Sequence, residues 1–475
     1  MTVAKLQPGQ ADLPSKDSTR SYWHKEPSRV LLGHRTTPEL PTQADVIIVG
    51  SGITGAFAAR ELVGGGRRVL MLEAREACWG ATGRNGGHCQ PMVYLSEPHI
   101  ARFELDTFDF LSALIREHDI ACSWEAPGGV HSITSEEVLS LTRRRLEQLQ
   151  SSHPDLASRA RLVTDREELQ RLRLRDNHLG AVVQDRAAKC WPYKLVCWVL
   201  EKLLLESPWK QQHGDRAFNL QTGTPVVHVQ RRPGSEWIVH TDRGQVSAPH
   251  VVLATNAYTS RLLPRLTGAI TPVRGQVCAL VPPVGSTPLE QTHVWSLQKE
   301  GDPGDSDDYL VQRPSGELIL GGERMSVADG GEGVSSDNEV DPAVGQRLRS
   351  ALHSMLCLSP SDPPELEASH EWTGIMGYSA DGHPWVGRVP EALGGEGPDG
   401  DGGLWVSAGY TGHGMPVAAR CGIAVAERIL GKAGRSTVQV PPEWEISEGR
   451  VQAAAKRSVM PCSFREELRA LVERS

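Results

Sequence analysis

No run of about 18 apolar residues occurs in this sequence, so no transmembrane helix is expected. There is no Cys-x-x-Cys pair, and the nine cysteines are scattered and odd in number. That pattern does not suit a disulfide framework, and no metal site is expected. Reduced thiols in the cytoplasm are. The opening MTVAKLQPGQADLPSKDSTR is polar and unlike a secretory signal, and the closing Glu473-Arg474-Ser475 does not read as a peroxisomal address. Neither charge dominates: 50 basic against 58 acidic residues leave −8, mixed along the chain. This balance gives no general pull toward nucleic acid or anionic membranes. Internal repeats are missing as well.

What is present is a long, ordinary globular composition with one excess. At 475 residues the chain is too long for one compact core, and two to three domains are expected. Apolar residues make up 39% and charged residues 23%, both within the usual range. The excess is 48 glycines, and their positions are informative. Asp45-Val46-Ile47-Ile48-Val49 is a continuous apolar run of the kind that forms a buried parallel strand. Gly50-Ser51-Gly52-Ile53-Thr54-Gly55 follows, then a helix over 53–63 ended by Gly64-Gly65-Gly66. Val69-Leu70-Met71-Leu72 is a second buried strand, closed by Glu73.

This β-α-β start carries the dinucleotide fingerprint. Gly50 makes the tight turn, Gly52 lets backbone approach a pyrophosphate, and Gly55 allows close helix–strand packing. The helix N-terminus offers unpaired N–H groups to phosphate. Glu73 stands where a carboxylate accepts from ribose hydroxyls. The fingerprint alone does not separate FAD from NAD. The Gly-rich stretch Gly80 to His88, directly after the acidic strand end, favours an extended flavin cofactor that backbone must approach from both sides.

Further along, helices are expected at 100–118, 136–150, 192–206, 343–356 and 415–430. Strands are expected at 225–230, 236–241, 250–254, 270–281, 309–321 and 404–408. The acidic Gly-rich stretches 300–308 and 394–403 read as mobile surface loops.

These residues resemble the D-amino-acid-oxidase-like (glutathione-reductase-type) FAD-dependent oxidoreductase family from about Ala44 to Gly431. The likeness rests on four blocks: the fingerprint with Glu73; Gly80 to His88; Val251 to Tyr258, preceded by Pro225-Val226-Val227; and Asp381 to Gly387 with Gly409 to Met415. The run GRNGGHCQP, residues 83–91, is similar to the fungal-type gamma-glutamylputrescine-oxidase-like branch. The resemblance implies an α/β fold, with a Rossmann-like FAD-binding domain and a second, antiparallel-sheet α+β substrate domain. The expected boundaries are an N-terminal arm at 1–41, a discontinuous FAD-binding domain at 42–100, 191–265 and 366–432, a substrate domain at 101–190 and 266–365, and a C-terminal tail at 433–475.

The resemblance adds cofactor contacts at Ile53, Thr54, Ala74 and Arg75 around the fingerprint, and at Ala81, Thr82, Gly83, Asn85, Gly86, Gly87 and His88 in the following loop. Val226 is expected against adenine, with Thr255 beside it. Gly409, Gly412, His413, Gly414 and Met415 are expected near the ring, where a helix start at 415 would favour negative charge. Tyr378, Tyr410 and His413 are the candidates to line the flavin face and act in catalysis.

The implied activity is oxidation of the C–N bond of a small-molecule amine or amino-acid derivative to an imine. Oxygen is the implied acceptor, giving hydrogen peroxide. A flavin dehydrogenase with another acceptor, an NAD(P)-linked dehydrogenase and a flavin-binding scaffold stay open. Sarcosine-oxidase-type flavin attachment would use a Cys near Gly374, so non-covalent FAD is expected, with His88 and Cys89 the other residues considered. Relatives that oxidise small amino acids often place an Arg five residues before the Asp of the Asp-Gly-x-Pro block. Here that position is Met376, which points to an amine or a bulky amino-acid derivative unless Arg84 or Arg274 reaches the substrate instead.

Overall fold

The computed structural model describes residues 6–207, 217–232, 236–298, 305–395, 402–432, 436–454, 456 and 464–474. Its first sheet grows from the buried runs. Val46–Val49 lies at the centre between His250–Leu253 and Arg68–Leu72, all parallel. Ala217–Gln221 extends one side, and Gly403–Ala408 the other. Trp385–Arg388 closes the edge antiparallel to Gly403–Ala408. The helices Ile53–Gly64, Pro192–Glu206 and Ala418–Ile429 cover this sheet with a common apolar core. Covered strands can be apolar at every position, so the central strand has no polar residue in its four. Alongside runs an antiparallel meander, Val226–Arg232, Glu236–Thr241 and Gly244–Ala248.

The second sheet has eight strands, in the order Ala368–Ser379, Ile270–Leu280, Leu318–Gly322, Asp305–Gln312, Thr292–Gln298, Gly129–Ile133, Gly180–Gln184 and Ala160–Val163. Every pairing is antiparallel except that of Thr292–Gln298 with Gly129–Ile133. Helices Glu136–Ser152 and Pro342–Met355 pack beside it. The mixed architecture is the one the resemblance implies.

Four expectations need revision. The single strand expected at 309–321 is a hairpin, because Pro314-Ser315-Gly316 turns the chain and Arg313 N–H closes on the Glu317 carbonyl at 2.8 Å. The loops expected at 300–308 and 394–403 lie partly outside the described residues, at 300–304 and 396–401. Residues 305–308 already belong to a strand, and Gly403 starts another. The last large helix begins at Ala418 rather than 415, since Val417 and Ala418 N–H still fold back on the Gly414 carbonyl in a turn. Ala368–Ser379, expected with the cofactor domain, is an edge strand of the eight-stranded sheet. Its long pairing with Ile270–Leu280 holds it there.

Candidate active site

Between the two sheets lies a cavity of about 1240 Å³. That exceeds the roughly 300–1,000 Å³ usual for a small-ligand pocket, leaving room for an extended cofactor beside a substrate. Its floor starts at the glycine turn. Gly50 has φ +105°, and a Cβ there would stand 2.5 Å from the Ala254 carbonyl oxygen. A Cβ on Gly55 would meet the Gly50 oxygen at 2.1 Å, so the helix can approach the strand only without a side chain. The Ile53 N–H at the helix start donates to the Thr82 hydroxyl at 3.1 Å, which ties the fingerprint to the next Gly-rich loop.

Glu73 is buried at the end of its strand. One carboxylate oxygen accepts from Ser51 N–H and Ser51 Oγ at 3.0 and 2.5 Å, and the other from Arg75 N–H at 2.9 Å. The same carboxylate borders the cavity together with Gly52, Ala74, Val226 and Thr255. An acid at this strand end, main-chain amides at a helix start and an apolar valine form a donor and acceptor set that fits the adenosine and pyrophosphate of FAD.

The expected cofactor residues divide into two groups. Gly50, Gly52, Ile53, Thr54, Glu73, Ala74, Arg75, Ala81, Thr82, Asn85, Gly86, His88, Val226, Thr255, Gly412, His413, Gly414 and Met415 border the cavity. Gly55, Gly83, Gly87 and Gly409 do not. Gly83 is packed on the Cys78 carbonyl, Gly87 on the Trp23 ring and Gly409 on Trp385, so they let protein segments meet closely. Asn85 shapes its loop by donating to the Thr82 carbonyl and accepting from Gly87 N–H. Arg75 pairs with buried Asp337 at 2.9 Å and donates to the Trp79 carbonyl.

The roof is the eight-stranded sheet. The Tyr309 ring lies against the loop below, 2.0 Å from where a Gly86 Cβ would stand. Beside it, Asp308 accepts from Trp295 Nε1 at 3.1 Å and from Glu323 N–H at 2.9 Å. Ile375, Met376 and Tyr378 continue the wall.

The three catalytic candidates have different surroundings. The Tyr410 hydroxyl is buried between Thr54 Oγ1 at 2.9 Å and Ser407 Oγ at 2.8 Å, and burial drives its pKa far up. It joins the glycine-turn helix to the last strand and stays protonated. Tyr378 faces the cavity, with the Arg324 guanidinium 5.1 Å from its ring centre. His413 Nε2 lies 3.4 Å from the carboxylate of buried Glu104, an acid that the sequence reading did not single out. His88 borders the same region, its Nε2 2.9 Å from Thr292 Oγ1. Its pKa is lowered to about 4, mainly by burial, with a smaller contribution from the charge of His413. Cys89 is buried and does not border the cavity.

The two arginines held in reserve for a substrate carboxylate are engaged elsewhere. Arg84 is buried, donates to the Thr373 and Thr19 carbonyls and pairs with Asp337 at 3.1 Å. Arg274 pairs with Glu339 at 2.8 Å. Arg84 still borders the cavity, and so do Arg261 and Arg324, which the sequence reading missed. No local motif marks either one. Both termini also contribute: Leu13 and Pro14 from the arm, and Phe464 and Leu471 from the helix Phe464–Arg474.

The comparisons with known proteins agree with this geometry. The chain is 24% identical over 416 residues to a probable oxidoreductase, OrdL, of Haemophilus influenzae, covering 83% of this chain and 85% of that one. It is 23% identical over 408 residues to the gamma-glutamylputrescine oxidoreductase of Escherichia coli, covering 82% and 84%. Its fold matches the crystal structure of glycine oxidase from Geobacillus kaustophilus with a TM-score of 0.67 at 21% identity, over 86% of this chain and 99% of that one. The profile of the family described as FAD dependent oxidoreductase spans residues 45–428, and with the glycine turn, Glu73 and the cavity they border, the chain belongs to that family.

Proposed function

We propose that this FAD-dependent oxidoreductase oxidises the C–N bond of an amine or amino-acid derivative, in the cytoplasm, with oxygen as electron acceptor. The amine loses a hydride and a proton to become an imine, which water then hydrolyses, and oxygen takes up the two electrons and two protons as hydrogen peroxide. The reading is carried by the continuity of the cavity, which runs from the dinucleotide turn to a roof of Tyr309, Ile375, Met376 and Tyr378. The curated relative that acts on gamma-glutamylputrescine and the structural neighbour that acts on glycine support the substrate class. The cytoplasmic assignment is supported by the eight free cysteines among the described residues.

Bound FAD supplies the two-electron acceptor. The amides of the Gly50–Gly55 turn, Glu73 and Val226, which border the cavity, would hold its pyrophosphate, ribose and adenine. Ile375 and Met376 on the roof would limit access of water to a substrate bound there. His413, with Glu104 behind it, stands where it can take the proton of an ammonium substrate, since an amine must be neutral to give up hydride. We also propose the discontinuous domain division stated above, with Ala368–Ser379 assigned to the substrate side.

The test is an anaerobic screen of amines and amino acids for bleaching of the flavin, followed by readmission of oxygen and a peroxide assay. Bleaching by at least one amine and stoichiometric peroxide are expected. If dithionite bleaches the flavin and no amine does, the reading falls. If bleaching occurs but oxygen fails to restore the colour, the acceptor is a different one.

A further inference from the structure

The helix Phe464–Arg474 lies outside residues 45–428, the span matched by the family profile, yet it walls part of the cavity. Its sequence divides into two faces at helical spacing. Phe464, Leu468 and Val472, each four residues apart, are buried in one apolar cluster with Val138, Leu139 and Leu149 of the helix Glu136–Ser152. The Phe464 ring packs on His131 with centroids 4.6 Å apart, and Gln148 Nε2 donates to the Val472 carbonyl at 2.9 Å. Arg465 and Arg469 pair with Glu137. The neighbouring face, Glu467, Ala470, Leu471 and Arg474, is spaced i, i+3, i+4 and i+7 and borders the cavity.

A second helix face borders the same space. Glu97, Ile100 and Glu104, at i, i+3 and i+7 about the start of the helix Pro98–Glu117, also line the cavity. The two faces meet at the rim, where Arg474 Nη1 lies 3.6 Å from the Glu97 carboxylate. From Glu97 to Glu104 is about 10 Å along the helix, at roughly 1.5 Å per residue. Glu104 marks the inner end: Met92 N–H donates to it at 2.5 Å, and His413 Nε2 lies 3.4 Å away. Between the two ends, Ile100 and Leu471 are buried and border the cavity. Leu95 borders it too and packs on the cluster that holds Phe464. Glu466, Glu467 and Arg474 of the tail helix are exposed, which keeps its cavity-side charges at the rim.

We infer that the tail helix builds an apolar subsite for the substituent of the substrate amine, with Ala470 and Leu471 setting how long a group fits. The nitrogen rests at the His413 and Glu104 end, and the chain it carries runs outward past Ile100 toward Leu471. Moving that chain out of water tightens binding by about fourfold per methylene. The helix stands beyond the region shared with the family, so it serves selectivity rather than the common redox chemistry. The inference rests on the amine-oxidation reading for where the nitrogen goes, but not for the subsite itself.

The experiment uses the FAD-loaded full-length protein and reads the flavin spectrum without oxygen. The probes are 1-alkylamines from ethylamine to hexylamine and the matching 1-alkanols, titrated into wild type, Ala470→Trp and Leu471→Ala. In wild type both series should tighten with length, hexyl about thirtyfold or more over ethyl. Ala470→Trp fills the chamber, so hexyl probes should bind at least tenfold weaker than to wild type while ethyl probes change less than twofold. Leu471→Ala removes part of the wall and should weaken hexyl probes about threefold or more, again sparing ethyl. Hexyl binding within twofold of wild type in both variants overturns the inference. So does an equal loss for ethyl and hexyl probes, the sign of a general disturbance, or a wild type indifferent to length. Bleaching is followed with the same amines. If none bleaches the flavin while the alkanol series still loses its length dependence in Ala470→Trp, the amine-oxidation reading fails and the subsite stands.

Discussion

Glu73 serves two partners, and replacing it should separate them. Its carboxylate already accepts from Ser51 N–H, Ser51 Oγ and Arg75 N–H, while still facing the cavity where the ribose hydroxyls of FAD are expected. Removing the charged acceptor for the ribose should cost about 1.5–3 kcal/mol of binding, roughly 10- to 150-fold in Kd. Leaving the buried Ser51 and Arg75 N–H groups without an acceptor should also cost the cofactor-free protein about 1–3 kcal/mol per group. Glu73→Ala therefore lowers both FAD affinity and the stability of the apoprotein. Glu73→Gln keeps the shape but presents an NH₂ to one of the same donors, so it should not rescue fully. The assay is titration of apoprotein with FAD by fluorescence quenching, paired with thermal unfolding of the apoprotein. If Glu73→Ala binds FAD within twofold of wild type while its apoprotein melts lower, Glu73 is a turn-stabilising residue alone and the ribose assignment is wrong.

Acid precipitation should release the flavin into the supernatant, because Cys89 is walled off and His88 is held by Thr292; yellow pellet would show a covalent bond. Tyr410→Phe should lower stability by about 1–2 kcal/mol, through the hydroxyls of Thr54 and Ser407 left behind. It should leave the anaerobic bleaching rate within about threefold, and a loss of a hundredfold or more would make Tyr410 a participant. The burial that lowers His88 and His131 to about 4 keeps them neutral in the folded chain, while the unfolded chain protonates them near 6.5. Unfolding thus takes up protons, and stability present above pH 6.5 is lost as the pH falls toward 4. Thermal midpoints measured across that window should decline, and His131→Gln should flatten the decline; an equally steep profile in the variant would remove His131 from the explanation.

What was legible in the sequence was what local physics writes locally. Val46–Val49 is apolar at every position because helices cover one face of its sheet and the antiparallel meander the other, and that appears as a run. The Gly50–Gly55 turn and Glu73 are close in sequence to the strands that place them. The hairpin at 305–322 was read as one strand because apolar residues on both sides of Pro314-Ser315-Gly316 mask the turn. The helix start moved to Ala418 because the Gly414 carbonyl captures two amides that a helix pattern would assign to its first turn. Arg324 was invisible for another reason. Its place on the cavity wall depends on the Tyr378 ring, far from it in sequence, as well as on the nearby Gly330 bend. Glu104 and the helix Phe464–Arg474 likewise reach the cavity only through tertiary packing.

The Asp337 ion-pair hub bears on how the chain is made. Thr19, near the start, bonds Asp337 and Thr373, which lie 318 and 354 residues later, and Arg84 waits for the same two segments. At about 5–20 residues per second of synthesis, the arm stands without its partners for roughly 15–70 s after it leaves the ribosome. The glycine turn and its sheet need strands up to Gly403–Ala408 before they close. Cofactor capture is therefore an event of the nearly finished chain. Truncated or stalled products should present an unfilled, partly apolar cleft to the quality-control machinery rather than a yellow intermediate.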